Sequence, residues 1–310
     1  MKLATTTADF RGYAATPAET VRLFAGTGFT LLDLNLYREN APGSPWLAEG
    51  EDWKRLISDA GEAAADQGIR FCQAHAPDGE HFIPGPARDN LLRCTRHAIE
   101  ACAMLGIPNL VAHAAGSPEF TPRQFLGRNR DFFAEFFDDL DRHGVNLLIE
   151  NSAERNAPHY YLRTGAELRE FLEFAGHPRL HACWDTGHAH LRGMDQYRSL
   201  LELGPELRGL HVADNYGDAD SHTAPFFGTC NFDPVLQGLV DIGYKGAFTF
   251  EGGSLMRNHD VWPNFRKPWE HQGRKVTTLL DVPLHLKRRA VALMYEVGRH
   301  MLEAYGCFEG

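Results

Sequence analysis

The sequence offers little for building a redox or zinc-ribbon centre. Its six cysteines (Cys72, Cys94, Cys102, Cys183, Cys230, Cys307) form no Cys-x-x-Cys pair and no disulfide-framework spacing. Several fall in apolar strand or helix patterns, where a free thiol behaves as a small hydrophobe. Long hydrophobic runs are also missing, and none approaches the ~20 residues that span a bilayer. The first ten residues, Met1 to Phe10, lack the apolar stretch of a signal peptide. A soluble protein of a reducing, cytoplasmic compartment is therefore expected, with no membrane partner. Positive charge is scarce: 31 Lys and Arg face 41 Asp and Glu, a formal net charge of −10. Duplex-binding proteins usually present a basic stripe. The nearest approach here is Arg123, Arg128 and Arg130, read as a solvated helix face, so nucleic acid is not an expected partner. No Gly-x-Gly-x-x-Gly follows the first strand candidate, which removes support for a dinucleotide fold. Low-complexity linkers and short repeats are lacking as well.

What is present is a recurring unit. Short apolar runs at Leu3–Thr7, Thr30–Leu34, Ile69–His75, Asn109–His113, Val145–Glu150, Leu180–Asp185, Leu207–Val212 and Ala247–Glu251 read as strands. Helical spacing separates them, including one helix from about Thr121 to His143. A closing helix runs from about Pro283 to Ala304. Eight βα units with continuous apolar strands predict a parallel sheet closed into a (β/α)8 TIM barrel of the α/β class, one domain over residues 1–310. The segment from Ser254 to Val282, with Trp262, Phe265 and Trp269, is longer than an ordinary barrel connection. It is expected to form an extended loop that walls the pocket and serves as a homo-oligomer contact. Phe10, Trp46 and Phe82 follow the first three strands and are further candidates for the mouth.

Active sites of such barrels form at the C-terminal strand ends, and the strand ends here are chemically alike. His75 ends the third strand, His113 the fourth, Glu150 the fifth, Asp185 the sixth, His211 the seventh and Glu251 the eighth. Asp185 and His188 leave the sixth together across a Thr-Gly turn, and Asp220-Ser-His222 lies in the loop after the seventh. A lone histidine after a strand is ordinarily a loop residue, and a lone Glu251 could be a salt-bridged acid. Six successive strands ending in ligand-type residues are a different matter. Gathered carboxylates raise one another's pKa, and a divalent cation removes that cost. His181 and His190 are read as bland.

The pieces His75-Ala-Pro77, Val111-Ala-His113, Ile149-Glu-Asn151, Trp184-Asp-Thr-Gly-His188, Leu210-His-Val-Ala-Asp-Asn215, Asp220-Ser-His222 with Phe227-Gly228, Ile242-Gly-Tyr-Lys-Gly246 and Phe250-Glu251 carry a resemblance. In their order and spacing, over roughly residues 70–252, the chain resembles the xylose isomerase-like TIM-barrel superfamily. That superfamily holds sugar isomerases and epimerases together with endonucleases of the endonuclease IV type. The resemblance to its ketose 3-epimerases implies one divalent metal on Glu150, Asp185, His211 and Glu251, with the two glutamates as the acid/base pair and His188 on the substrate. His75, His113, Asp220 and His222 are further substrate-binding candidates. The epimerases place an arginine just beyond the metal histidine, where this chain has Asn215-Tyr-Gly217. The endonuclease ligands also all find matches, at those nine positions.

Three activities follow as expectations. The first is isomerisation or epimerisation of a small sugar or sugar derivative. Glu150 and Glu251 on opposite sides of the carbon chain would move the proton α to a carbonyl polarised by the cation, through an enediolate. The second is a lyase that uses the same enolisation on a keto-sugar or keto-glycoside. The third is phosphodiester hydrolysis. The partner expected is a small-molecule carbohydrate. Mixed oxygen and nitrogen ligands suit Mn2+ foremost, with Mg2+, Co2+ or Zn2+ able to serve.

Overall fold

The computed structural model describes every residue except 46–49, 154–160, 254 and 260–265. The eight runs form strands β1 (Leu3–Thr6), β2 (Leu31–Asn35), β3 (Arg70–His75), β4 (Asn109–Ala112), β5 (Asn146–Glu150), β6 (Leu180–Asp185), β7 (Leu207–His211) and β8 (Phe248–Phe250). They pair in parallel, each with its sequence neighbours, and β1 also pairs with β8 through Leu3 opposite Phe248. The ring closes just past β7. Val212 donates to the Thr249 carbonyl at 2.8 Å, and Glu251 donates back to the Val212 carbonyl at 3.0 Å. A (β/α)8 barrel results, as expected.

Between the strands run α1 (Pro17–Arg22), α2 (Asp52–Ala65), α3 (Pro86–Leu105), α4 (Pro122–Ala134), α5 (Phe137–His143), α6 (Gly165–Ala175), α7 (Thr186–Arg192), α8 (Gln196–Leu203), α9 (Asp233–Asp241) and the closing α10 (Leu284–Ala304). Thr16, Thr121, Thr164 and Asp195 cap α1, α4, α6 and α8 with side-chain oxygens that accept from the first turn. The large core lies between the strands and this helical shell, with Phe133, Phe136, Phe171 and Trp184 essentially inaccessible. Each such side chain contributes about 1.5–3 kcal/mol on burial. A smaller cluster of Val111, Leu148 and Cys183 fills the barrel interior. There the strands approach closely around Gly209, where a Cβ would lie 2.6 Å from Leu148 and 2.7 Å from the Gln73 amide oxygen.

Three elements differ from the sequence expectation. The helix over 121–143 is broken into α4 and α5. Tight i→i−3 bonds close its first half (Glu135 to Phe132, Phe136 to Phe133), and the Glu135 carbonyl accepts from Arg96 at 3.1 Å instead of continuing the ladder. The turn after β6 is a helix, α7, because Asp185 caps it. The extended segment after β8 carries a hairpin of β9 (Trp269–His271) and β10 (Arg274–Val276). Trp269 there is 62% exposed and stacks on His271. Of the aromatic mouth candidates, Phe10 belongs to the core, edge-on to Phe24 at 4.8 Å, and Phe82 packs against Phe120. Trp46, Trp262 and Phe265 lie outside the described residues.

The shell tolerates no added atom at Gly165, where a Cβ would sit 2.0 Å from the backbone oxygen of Ser199. Gly165→Ala must push α6 off α8, and a loss of about 1–3 kcal/mol is expected, read as a lower urea midpoint at unchanged slope.

Candidate metal centre

The chemistry of the mouth begins with which strand residues face inward. Alternate residues of a strand share a face, so Gln73 and His75 on β3 point one way, as do Gly209 and His211 on β7. Asp33 on β2 pairs in register with Gln73 and accepts from its amide at 2.7 Å. The same Asp33 oxygen lies 3.4 Å from His211 Nε2. Both groups are buried to about 1% exposure. In the tautomer whose Nε2 proton points at that carboxylate, Nδ1 is free to face Glu150 and Glu251, the arrangement that makes a histidine a stronger ligand.

Nδ1 of His211 lies 3.0 Å from Glu150 Oε1 and 3.6 Å from Glu251 Oε2. Glu150, Asp185, His211 and Glu251 each offer one ligand atom, and all four atoms lie within 4.8 Å of one another. This is the quartet that the sequence resemblance implies. Asp185 adds an independent sign of fit. Its Oδ1 accepts from the His188 backbone at 2.6 Å, whereas its Oδ2 is buried with no hydrogen-bond partner among the described residues. A buried carboxylate oxygen left bare beside two other carboxylates and an imidazole suits a hard divalent cation.

Local sequence explains the rigidity of this corner. Asn151 clamps the end of β6 by donating to the Asp185 carbonyl (2.9 Å) and accepting from its amide (2.6 Å). Thr186 ties β6 to β7 by exchanging bonds with Ala213 at 2.7 and 3.0 Å. Gly187 is needed because a Cβ would press on Ala213, Asp185 and Asn215 at 3.2–3.3 Å. The loop after β7 is organised by Asp214, whose carboxylate accepts from Asn215, Gly228 and Cys230. A two-way backbone pairing of Asp214 with Thr223 returns the chain to the mouth. His222 pays a strained φ of +46° to reach it.

The remaining candidates surround the quartet. Glu150 Oε2 is 3.0 Å from His113 Nε2 and 3.6 Å from His75 Nε2, and its Oε1 is 3.5 Å from His188 Nδ1. His75 and His188 point Nδ1 at the carbonyls of Ala76 and Asn151. His188 and His222 share Asp220, at 3.3 and 3.0 Å, in a second group able to hold a cation. All nine sequence candidates thus meet at one mouth. His181 and His190 stand apart, bonded to Glu206 and Thr229.

Electrostatics follow from burial working against neighbours. Burial pushes the Glu150 carboxyl up, but His211 and His113 overcome it and hold Glu150 well below the usual range. Burial would discharge His211, yet Glu150 and Glu251 hold its pKa well above the ordinary value. Burial lowers and Asp220 raises His222, with a net rise to about 9. Asp185 moves the other way: burial lifts it, His188 opposes, and the nearby Glu150, Asp220 and Glu251 add to the rise, to about 6. It is the carboxylate that the metal-free site least tolerates as an anion.

A cavity of about 230 Å³ is lined by Glu251 of the quartet with His75, His113, His188 and His222, and also by Arg11, Arg38 and Arg257. Sequence reading missed the arginines, which sit in loops. It also missed Asp33, whose signal was a charge inside the apolar run Leu31-Leu-Asp-Leu34.

The barrel fold is shared by solved structures of a D-psicose 3-epimerase and of an AP endonuclease, family 2. The chain belongs to the xylose isomerase-like TIM barrel family, whose model matches residues 13–264. It is 27% identical over 255 residues to the uncharacterized protein y4fM of Sinorhizobium fredii, covering 74% of this chain and 78% of that one. Fructoselysine 3-epimerase of Escherichia coli O157:H7 is 24% identical over 139 residues, 44% of this chain and 49% of that one. The crystal structure of a D-psicose 3-epimerase in the presence of D-fructose superposes with a TM-score of 0.71 at 18% identity, over 97% of this chain and 99% of that one.

Asp185 yields a prediction about the protein stripped of metal. Its raised pKa means the folded state holds that proton more tightly than the unfolded state. Stability therefore falls as pH climbs from the ordinary aspartate value through about 6. Asp185→Asn keeps a capping oxygen but has no such charge. At pH 7 the metal-free variant should be more stable than the metal-free native protein by on the order of 2–3 kcal/mol. Adding Mn2+ should reverse that order, as read by thermal melts with and without chelator.

Proposed function

We propose that the protein is a metal-dependent epimerase or isomerase of a small keto-sugar or sugar derivative, with Glu150, Asp185, His211 and Glu251 as the ligands of one divalent cation. The observation that carries this reading is that one ligand atom from each of these four side chains lies within 4.8 Å of the others, with one buried Asp185 oxygen lacking a hydrogen-bond partner among the described residues and Glu251 lining a small cavity. The epimerase names among its relatives agree with it. A divalent cation bound there supplies Lewis acidity toward a substrate carbonyl and its neighbouring hydroxyl.

The chain's own groups do the proton work. Glu150 comes from β5 and Glu251 from the end of β8, so the two carboxylates approach a bound carbon chain from different sides. Glu150, kept ionised by His211 and His113, is set to accept the proton α to the carbonyl at Oε2. Glu251, 16% exposed and lining the cavity, would deliver a proton taken up from water to the other face of the resulting enediolate, while Glu150 would release its own proton to water before the next turnover. Return to the same carbon inverts it; return to the neighbour isomerises the sugar. His188 fixes a substrate hydroxyl through Nε2, while its Nδ1 is held by the Asn151 carbonyl at 2.8 Å. His75, His113, Asp220 and His222 complete the polar wall. The cavity suits a molecule of sugar size.

The His188–Asp220–His222 group gives a specific reason to keep a second reading, phosphodiester cleavage with more than one cation. The formal charge of −10 argues against a polyanionic partner.

Incubating Mn2+-loaded protein with a panel of ketoses and keto-glycosides in heavy water distinguishes the readings by proton NMR. Deuterium beside the carbonyl is expected, removed by chelator and restored by Mn2+. Glu150→Gln and Glu251→Gln should each lower the exchange rate by about 10²–10⁴-fold. Release of an aglycone would replace epimerisation by elimination. Cutting of an abasic-site oligonucleotide, lost in Glu251→Gln, with no exchange into any sugar, would overturn the proposal in favour of the nuclease.

A further inference from the structure

Two cavities flank the shared side chains His113, His188 and Asp220, and their charges differ. The one toward β4 and β5, about 320 Å³, is lined by Asp78, Glu150, Asn151, Ser152, Tyr161 and loop backbone, with no lysine or arginine among its described residues. The other gathers three guanidinium groups from three separate connections: Arg11 after β1, Arg38 after β2 and Arg257 after β8. Such crowding of like charge is costly unless something answers it.

For two of the three, Arg11 and Arg38, no carboxylate among the described residues closes an ion pair. Arg11 is half-buried and donates through Nη2 to Asn35 Oδ1 at 2.8 Å, a neutral acceptor. Burial and then the charge of Arg38 lower the pKa of Arg11, although Glu39 and Glu251 partly compensate. Asp9, the buried carboxylate that faces Arg257, must also answer Lys287. Arg257 is braced by its bond to the Gly253 carbonyl at 2.7 Å, and so is aimed rather than trailing in solvent. Across the cavity the site's carboxylates are engaged by histidines and, in the proposed function, by a cation.

We infer that the substrate of this site carries an anionic group, a carboxylate or a phosphate, at the end of its carbon chain that lies on the β1, β2 and β8 side of the mouth, where Arg11, Arg38 and Arg257 receive it. The inference rests on the sugar reading above and narrows its substrate class. Planar guanidinium forks match the oxygens of both groups, whereas a neutral polyol would bring no opposite charge to Arg11 and Arg38.

The test compares D-fructose and D-tagatose with their 6-carboxylates, D-fructuronate and D-tagaturonate, and with D-fructose 6-phosphate, all on the metal-loaded protein. Binding is measured by calorimetry at low and high salt, and turnover by deuterium exchange. An anionic compound should bind more tightly than its neutral counterpart by about tenfold or more. That preference should shrink with salt and fall toward parity, by about tenfold, in Arg38→Gln and in Arg11→Gln. The carboxylate and phosphate arms show which group is taken. Arg38 is exposed, so its variant leaves the packing intact, and Arg11→Gln is the independent check. Equal binding of neutral and anionic compounds, or a preference unchanged in both variants, overturns the inference; exchange into the neutral ketoses would then leave the enolisation reading standing. Arginine-dependent anion binding without exchange into any compound would instead sink the enolisation reading and keep the anion subsite.

Discussion

The mouth of the barrel is governed by repulsion. Glu150, Asp185 and Glu251 are brought within 4.8 Å of one imidazole nitrogen in a place nearly closed to water. The fold counters this cost unevenly. Glu150 is answered by His211, His113, His75 and His188 within 3.6 Å. Asp185 has one oxygen answered by a backbone amide and the other by nothing among the described residues. The compensation is incomplete at the point where a cation would complete it.

What keeps the imbalance from relaxing is the scaffold beneath. The side chains of Asn151, Thr186 and Asn215 bond backbone carbonyls of Asp185, Ala213 and Gly187 and so tie the ends of β5, β6 and β7 together around Asp185. Asp33 and Gln73, one layer deeper, fix the orientation of His211. Rigid elements that hold reactive groups in a costly arrangement are what preorganised sites require.

Most of this frame was legible in the sequence because strand ends announce themselves: an apolar run stops at a residue that cannot be buried alone. Glu150, Asp185 and His211 are such residues, and β6 was bounded to the residue. Asp33 escaped notice because it interrupts an apolar run from inside, and only its bond to Gln73 on the neighbouring strand and its approach to His211 across the barrel give it a purpose. The helix α7 was hidden in a stretch that reads as a turn, since its formation depends on Asp185 acting as cap as well as candidate ligand. The break between α4 and α5 depends on Arg96, some forty residues away, which no local pattern reveals. Arg11, Arg38 and Arg257 are distant in sequence and sit in irregular connections, so their common cavity was visible only in three dimensions.

The groups proposed to carry out the reaction stand at strand ends, while the three arginines are held by loops. Loops accept substitution and insertion more readily than barrel strands do. Divergence could therefore exchange one preferred compound for another by altering the three arginine-bearing connections while inheriting the proton-transfer apparatus whole. A lineage built on this chain would be expected to vary in diet before it varies in chemistry.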